Sequence, residues 1–144
     1  VDLDKEIEVG EQSSIAEIFA RAGEAEFRAI ERRYLHQLAV RPPSIVATGG
    51  GTPCFFDNLT WMQAHGAVLF LDVPWEVLLQ RLQKDAGARP LLTHTDAKAI
   101  RLLWQSRLPC YRQAHGAIHF SSDDENVFWE KLCLAAQRVL NAEG

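Results

Sequence analysis

The sequence predicts an α/β domain in which a parallel sheet lies between two layers of helices, and three observations predict it. Short apolar runs stand at 44–48, 67–73 and 117–120. Between and after them, apolar residues recur at three- and four-residue spacing, the period of a helix with one buried face. The chain has 144 residues, 47% hydrophobic and 24% charged, enough for one core without disulfides or a structural metal. Strands that alternate with helices build a parallel sheet covered on both faces, so a single domain over 1–144 is expected.

The elements follow in order. Val1 to Asp4 reads as the end of a strand, with a polar stretch to Gln12 after it. Ser14-Ile15-Ala16-Glu17 fits a capping box, in which the serine oxygen meets the backbone N–H three residues on and Glu17 reaches back. A short helix carries Ile15, Ile18 and Phe19 and stops at Gly23. From Glu24 to Ala39 a second helix sets Phe27, Ile30, Tyr34, Leu35 and Leu38 on one face. Pro42-Pro43 breaks it, and Ser44 to Thr48 reads as a buried strand ending at Gly49-Gly50-Gly51. Asp57 is placed to cap a helix that ends at Gly66, and Ala67 to Val73 is the next strand. Pro74 opens a helix bearing Val77, Leu78 and Leu82, and Asp85 to Pro90 has the composition of a loop. A helix from Asp96 to Tyr111, a strand from Ala117 to Phe120 and a helix from Asn126 to Leu140 complete the chain.

Charge and composition exclude several classes of function. The net charge of −4 and the absence of a basic run argue against nucleic acid as a partner. No apolar run reaches the length of a membrane helix, and no signal peptide is visible. Cys54, Cys110 and Cys133 form no CxxC pair, so neither a disulfide framework nor a zinc site is expected, and a reducing cytoplasm suits them. The five histidines show no metal-binding spacing. The average conceals one cationic segment: Arg81 to Arg112 holds seven basic residues against two acidic ones. Such a segment suits a small polyanion.

In parallel α/β folds ligands gather beyond the carboxyl ends of the strands. Asp2 and Asp4, as alternate residues of a strand, would face one cleft. Gly49 to Gly51 would let a ligand approach the backbone and its N–H groups. Arg28 and Glu31 are spaced to pair along a helix, which would fix the guanidinium as a fork for a carboxylate. Arg107 precedes Leu108-Pro109, where a proline would break or kink the helix and aim the arginine inward. Arg89 stands among small residues in a loop that could close over a ligand.

Taken together, Asp2-Leu3-Asp4, Ser14 to Phe19, Gly23 to Glu31 (GEAEFRAIE), Ala47-Thr48-Gly49-Gly50-Gly51, Arg89-Pro90-Leu91-Leu92 and Arg107 to Tyr111 (RLPCY) resemble shikimate kinase, in that family's order and over nearly the whole chain. The resemblance implies a P-loop kinase sheet of the nucleoside-monophosphate-kinase-like type and ATP-dependent phosphorylation of the 3-hydroxyl of shikimate, in the shikimate pathway to chorismate and the aromatic amino acids. It implies that Asp4 holds the shikimate hydroxyls and orients or deprotonates the attacking one. Arg28 and Arg107 would clamp the carboxylate, with Gly49, Gly50 and Gly51 lining the same pocket, and residues 4–39 would form a shikimate-binding subregion. Asp2 would help hold Mg2+ through water. Arg89, in a lid at 84–96, would approach the transferring phosphate, and Arg81 would lie near the adenine, although its spacing from Arg89 is one residue longer than the family's commoner form. A cytoplasmic monomer is expected.

The family's GxxxxGK[ST] is not among these residues, for none of Lys5, Lys84, Lys98 and Lys131 follows a glycine. The family places that loop after a first strand, so it is expected upstream of Val1, and these 144 residues alone are expected to transfer phosphate poorly. Two other readings share the same residues: a non-catalytic binding domain on this fold, and a kinase for a related small carboxylated polyol.

Overall fold

The computed structural model describes residues 1–85, 97–120 and 125–142. The chain forms two compact units, Val1–His65 and Gly66–Gly144.

The first unit is mostly helical. Its opening corrects the strand expected at Val1 to Asp4, because the chain enters helix α1 at Leu3 and leaves it at Glu11. Asp2 is the N-cap: its side chain accepts the Lys5 N–H, and Asp4 and Glu6 bring negative charge to the first turn, where the helix dipole favours it. Leu3 and Ile7, one turn apart, are both fully buried. The alternation of acidic and apolar residues was therefore a helix start, and the polar stretch after it is the exposed face of that helix. Gln12 ends α1 in the left-handed conformation.

The capping box at Ser14 forms as expected and opens α2, Ile15–Gln37. Ser14 N–H donates to Glu17 Oε2 at 2.7 Å and Glu17 N–H to Ser14 Oγ at 3.3 Å. The Ser14 N–H most of all, with the Ser14 and Ser13 hydroxyls, holds the Glu17 carboxyl below the usual carboxylate range. Gly23, at φ 79° and ψ 176°, breaks the helical path, and helix resumes at Glu24. Leu3, Ile7, Ile18, Phe27, Ile30 and Leu35 form the core between α1 and α2.

Beyond α2 come two single 3₁₀ turns, Leu38–Val40 and Thr52–Cys54, and helix α3, Asn58–His65. The buried strand expected over Ser44 to Thr48 is instead an exposed extended segment, with Ile45 67% exposed. It pairs through one parallel bridge, Asp2 with Ala47, made by Ala47 N–H to Val1 O and Leu3 N–H to Ala47 O. Since Leu3 already turns into helix, the ladder has no further partner residues to extend along. That bridge nevertheless holds the start of α1 beside the chain that leads into the glycine triplet.

In the second unit, β1 (Leu69–Asp72) pairs with β2 (Gly116–His119) in parallel, Leu69 opposite Gly116 and Asp72 opposite His119. Helices α4 (Trp75–Asp85), α5 (Ala97–Tyr111) and α6 (Glu125–Ala142) accompany this pair. Gly116 fits beneath α6 because a Cβ there would lie 3.2 Å from Leu69 and 3.6 Å from Val139. Phe70 meets Tyr111 of α5, with ring centroids 5.2 Å apart. Pro109 does not break α5, which runs through it to Tyr111. It stands in the last turn, with only two helical residues beyond it. Of the loop expected over Asp85 to Pro90 and the lid over 84–96, only residues 84 and 85 are described, as the end of α4, and the rest, Arg89 included, lies outside the described residues. No helix among the described residues is long and apolar enough to cross a membrane.

Candidate functional site

The first unit gathers four of the residues singled out in the sequence: Asp4, Arg28, Gly49 and Gly51. The bridge between Asp2 and Ala47 sets the level of the glycine triplet against the first turn of α1. A Cβ built on Gly49 would lie 3.5 Å from Asp4 Oδ1, 3.6 Å from Glu31 Oε1 and 3.6 Å from Thr52 Oγ1, so these three oxygens surround one small space. A Cβ on Gly51 would fall 2.5 to 2.7 Å from the Arg28 guanidinium, which would have to shift to admit it. Gly51 is therefore required by the close approach of Arg28. Gly50, between them, is exposed.

Arg28 is 8% exposed and Glu31 1% exposed, an ion pair taken almost wholly out of water. Arg28 Nη1 donates to Glu31 Oε2 at 2.9 Å, as the spacing along α2 predicts. The other Glu31 oxygen accepts the Thr52 hydroxyl at 2.7 Å. Thr52 is fully buried, and its carbonyl accepts Asn58 Nδ2 at 2.9 Å. Burying two charges is costly unless each is paired and hydrogen-bonded, and this chain of Asn58, Thr52, Glu31 and Arg28 supplies the bonds. Phe55 stacks on the guanidinium with its centroid 4.2 Å from Cζ, and Phe27 lies at 5.1 Å. The result is a cation fixed in position by α2, the 3₁₀ turn and α3.

Helix α3 is itself held to α2. The Asp57 carboxylate, expected as a cap, pairs with Arg32 at 2.7 Å. The Trp61 ring lies between His36, centroids 4.5 Å apart, and His65, 4.1 Å apart.

The other sequence candidates among the described residues are Asp2, in the same unit, and Arg81 and Arg107, in the second. Asp2 and Asp4 do not share a face as they would on a strand. Asp2 is exposed, caps its helix through the Lys5 N–H at 3.3 Å and has Lys5 Nζ at 3.9 Å. Among the described residues no three His, Cys, Asp or Glu side chains gather as a metal site. Arg107 and Arg81 belong to the second unit. Arg107 is half-buried on α5, and Arg81, exposed on α4, has its guanidinium 5.0 Å from the Phe120 centroid. A cavity of about 310 Å³ in that unit, lined by Phe70, Asp72, Trp104, Tyr111 and His119 among others, includes none of the candidates.

The sequence reading missed Thr52, Phe55 and Asn58. Thr52 follows the glycine triplet directly and precedes a proline, which marked a turn but not a buried hydroxyl. Phe55 lies in irregular chain and Asn58 is the first residue of α3, so neither carries a periodic signal.

The architecture is that of solved P-loop kinases of the shikimate kinase type. The chain superposes on shikimate kinase from Bacteroides thetaiotaomicron with a TM-score of 0.82 at 33% identity, covering 99% of this chain and 81% of that one. It superposes on shikimate kinase from Acinetobacter baumannii in complex with shikimate with a TM-score of 0.77 at 33% identity, covering 98% of this chain and 75% of that one. In sequence, shikimate kinase of Bacteroides fragilis is 39% identical over 119 residues, an alignment spanning 80% of this chain but 66% of the relative. The family described as shikimate kinase matches residues 1–138. The chain belongs to the shikimate kinase family, as the motifs implied.

Proposed function

We propose that the protein phosphorylates the 3-hydroxyl of shikimate with ATP, and that the first unit supplies the shikimate site. The observation that carries this reading is the enclosure of Arg28: a buried cation, held by Glu31 and Thr52 and stacked on Phe55, beside Asp4 and the glycine triplet. A guanidinium fixed in this way is pre-organised for a carboxylate. An acid across the same small space suits hydroxyl groups, so acid and cation together match a ligand that carries both.

Arg28 holds the carboxylate, with Arg107 assigned to it by the order of the family's motifs. Asp4 accepts from the shikimate hydroxyls and orients the attacking one, and Gly49 to Gly51 line the pocket. ATP supplies the phosphoryl group, with Arg81 beside the adenine, Arg89 at the transferring phosphate and Asp2 reaching magnesium through water. Transfer of this kind depends on positioning and charge neutralisation more than on covalent catalysis. The GxxxxGK[ST] loop that cradles phosphate in such kinases is not among these 144 residues, and they alone are expected to transfer phosphate poorly.

The test is to follow shikimate 3-phosphate and ADP in a chain that includes a GxxxxGK[ST] loop and in its Asp4→Asn variant, with shikimate affinity measured alongside. Asp4→Asn is expected to lower kcat by about a hundredfold or more while changing shikimate affinity far less. An unchanged rate would remove Asp4 from the reaction. Shikimate binding without transfer, even with the phosphate loop present, would make the protein a binding domain.

A further inference from the structure

Arg28 is enclosed unevenly. Phe55 covers a face of the guanidinium, Gly51 abuts it, and the carboxylate on its Nη1 side, Glu31, is 1% exposed. The edge formed by Nε and Nη2 is different. A single oxygen of Glu24 accepts both donors there, at 3.4 and 3.2 Å, and the Glu24 side chain is 56% exposed. A guanidinium edge is matched best by two parallel bonds, one to each oxygen of a carboxylate. Glu24 offers one oxygen to two donors, at longer distances than the 2.9 Å of the buried pair.

We propose that Glu24 is a resident carboxylate that the ligand's carboxylate displaces from Arg28, so that it tunes both the affinity and the charge selectivity of the site. The inference rests on the shikimate-binding reading above. The backbone arranges the exchange: Gly23, at φ 79°, interrupts α2, so Glu24 opens the helical segment that carries Arg28 one turn further on. From there its side chain reaches the arginine yet stays in water. The pair is exposed on the Glu24 side alone and its bonds are long and share one oxygen, so an incoming carboxylate that places both oxygens on the edge displaces Glu24 at small cost. A neutral ligand gains nothing by displacing Glu24 and leaves Arg28 paired. Glu24 would thus disfavour uncharged polyols.

The experiment compares shikimate affinity in the protein, in Glu24→Gln and in Glu26→Gln, at low and at moderate salt. Glu26 is an exposed acid two residues on and controls for net charge. Glu24→Gln is expected to bind shikimate about two- to fivefold more tightly than the unaltered protein, with Glu26→Gln close to unchanged. Its affinity is also expected to fall more steeply with salt, because binding then creates an ion pair instead of exchanging one. Equal or weaker binding by Glu24→Gln, in a protein that does bind shikimate, would overturn the proposal and leave the shikimate site standing. Failure of both unaltered and variant protein to bind shikimate would overturn the functional reading and this inference with it.

Discussion

At the scale of single residues, stability and site geometry depend on the same buried groups. Thr52→Val keeps the shape of the side chain but leaves a buried Glu31 oxygen without its donor, and is expected to cost about 1–3 kcal/mol in a urea melt. It is also expected to weaken shikimate binding, since Glu31 then holds Arg28 less firmly. An unchanged melt would mean that Glu31 finds another donor. His36 gives a pH test. Burial pushes its imidazole below the ordinary range, with Arg32 acting in the same sense, Asp57 against it and His65 again with it. Its Nε2 is buried and has no hydrogen-bond partner among the described residues. Unfolded histidine takes up its proton near pH 6.5 and folded His36 only at lower pH, so between those values the unfolded state holds more protons. Stability is therefore expected to fall as pH drops below about 6.5, and His36→Phe, which can keep the stack on Trp61, is expected to show a smaller loss of Tm between pH 7.5 and 5.5. Equal losses would clear His36. At this scale the sequence was informative where spacing does the work: Arg28 and Glu31 lie three apart on a helix and pair as expected. Thr52 and Asn58 were hidden because their partners come from chain 21 and 6 residues away, which no local pattern encodes.

At the scale of elements, caps were legible and the difference between a strand and a helix start was not. The box at Ser14 formed as read, whereas Asp2-Leu3-Asp4 satisfied two patterns at once. A strand end and an N-capped helix both begin with an acid, an apolar residue and another acid; Leu3 and Ile7 packing one turn apart decided for the helix. This separates two roles for Asp2. Asparagine caps a helix about as well as aspartate, so Asp2→Asn is expected to keep the thermal stability, whereas Asp2→Ala loses about 1 kcal/mol. If Asp2 also serves magnesium, Asp2→Asn is expected to raise the magnesium concentration needed for half-maximal phosphotransfer. No shift in that requirement would leave Asp2 as a cap alone. The 3₁₀ turn after the glycine triplet carries a sharper constraint. Gly51→Ala places a methyl group against the Arg28 guanidinium and is expected to destabilise the first unit by about 1–3 kcal/mol, read as a lower urea midpoint. It should abolish shikimate binding even where the protein remains folded.

At the scale of the whole molecule, the alternation of apolar runs and helical spacing predicted a parallel α/β chain, and the order of motifs identified the family. Two strands and their parallel register emerged within a residue or two of the predicted runs, at Leu69–Asp72 and Gly116–His119. The run at Ser44 to Thr48 was apolar enough to be called buried, yet burial depends on which elements pack over a strand, and the run itself does not encode them. The charge pattern divides similarly: the acidic, arginine-anchored site lies in the first unit, and the cationic segment from Arg81 to Arg112 belongs to the second. The central claim is that Arg28, fixed by Glu31 and Thr52, exists to hold a substrate carboxylate. Its most direct test is a calorimetric titration of shikimate and of its decarboxylated analogue into the protein and into Arg28→Ala. Shikimate is expected to bind the unaltered protein about tenfold or more tighter than the analogue, and Arg28→Ala to erase that difference. Equal affinity of the unaltered protein for the two ligands would contradict the claim.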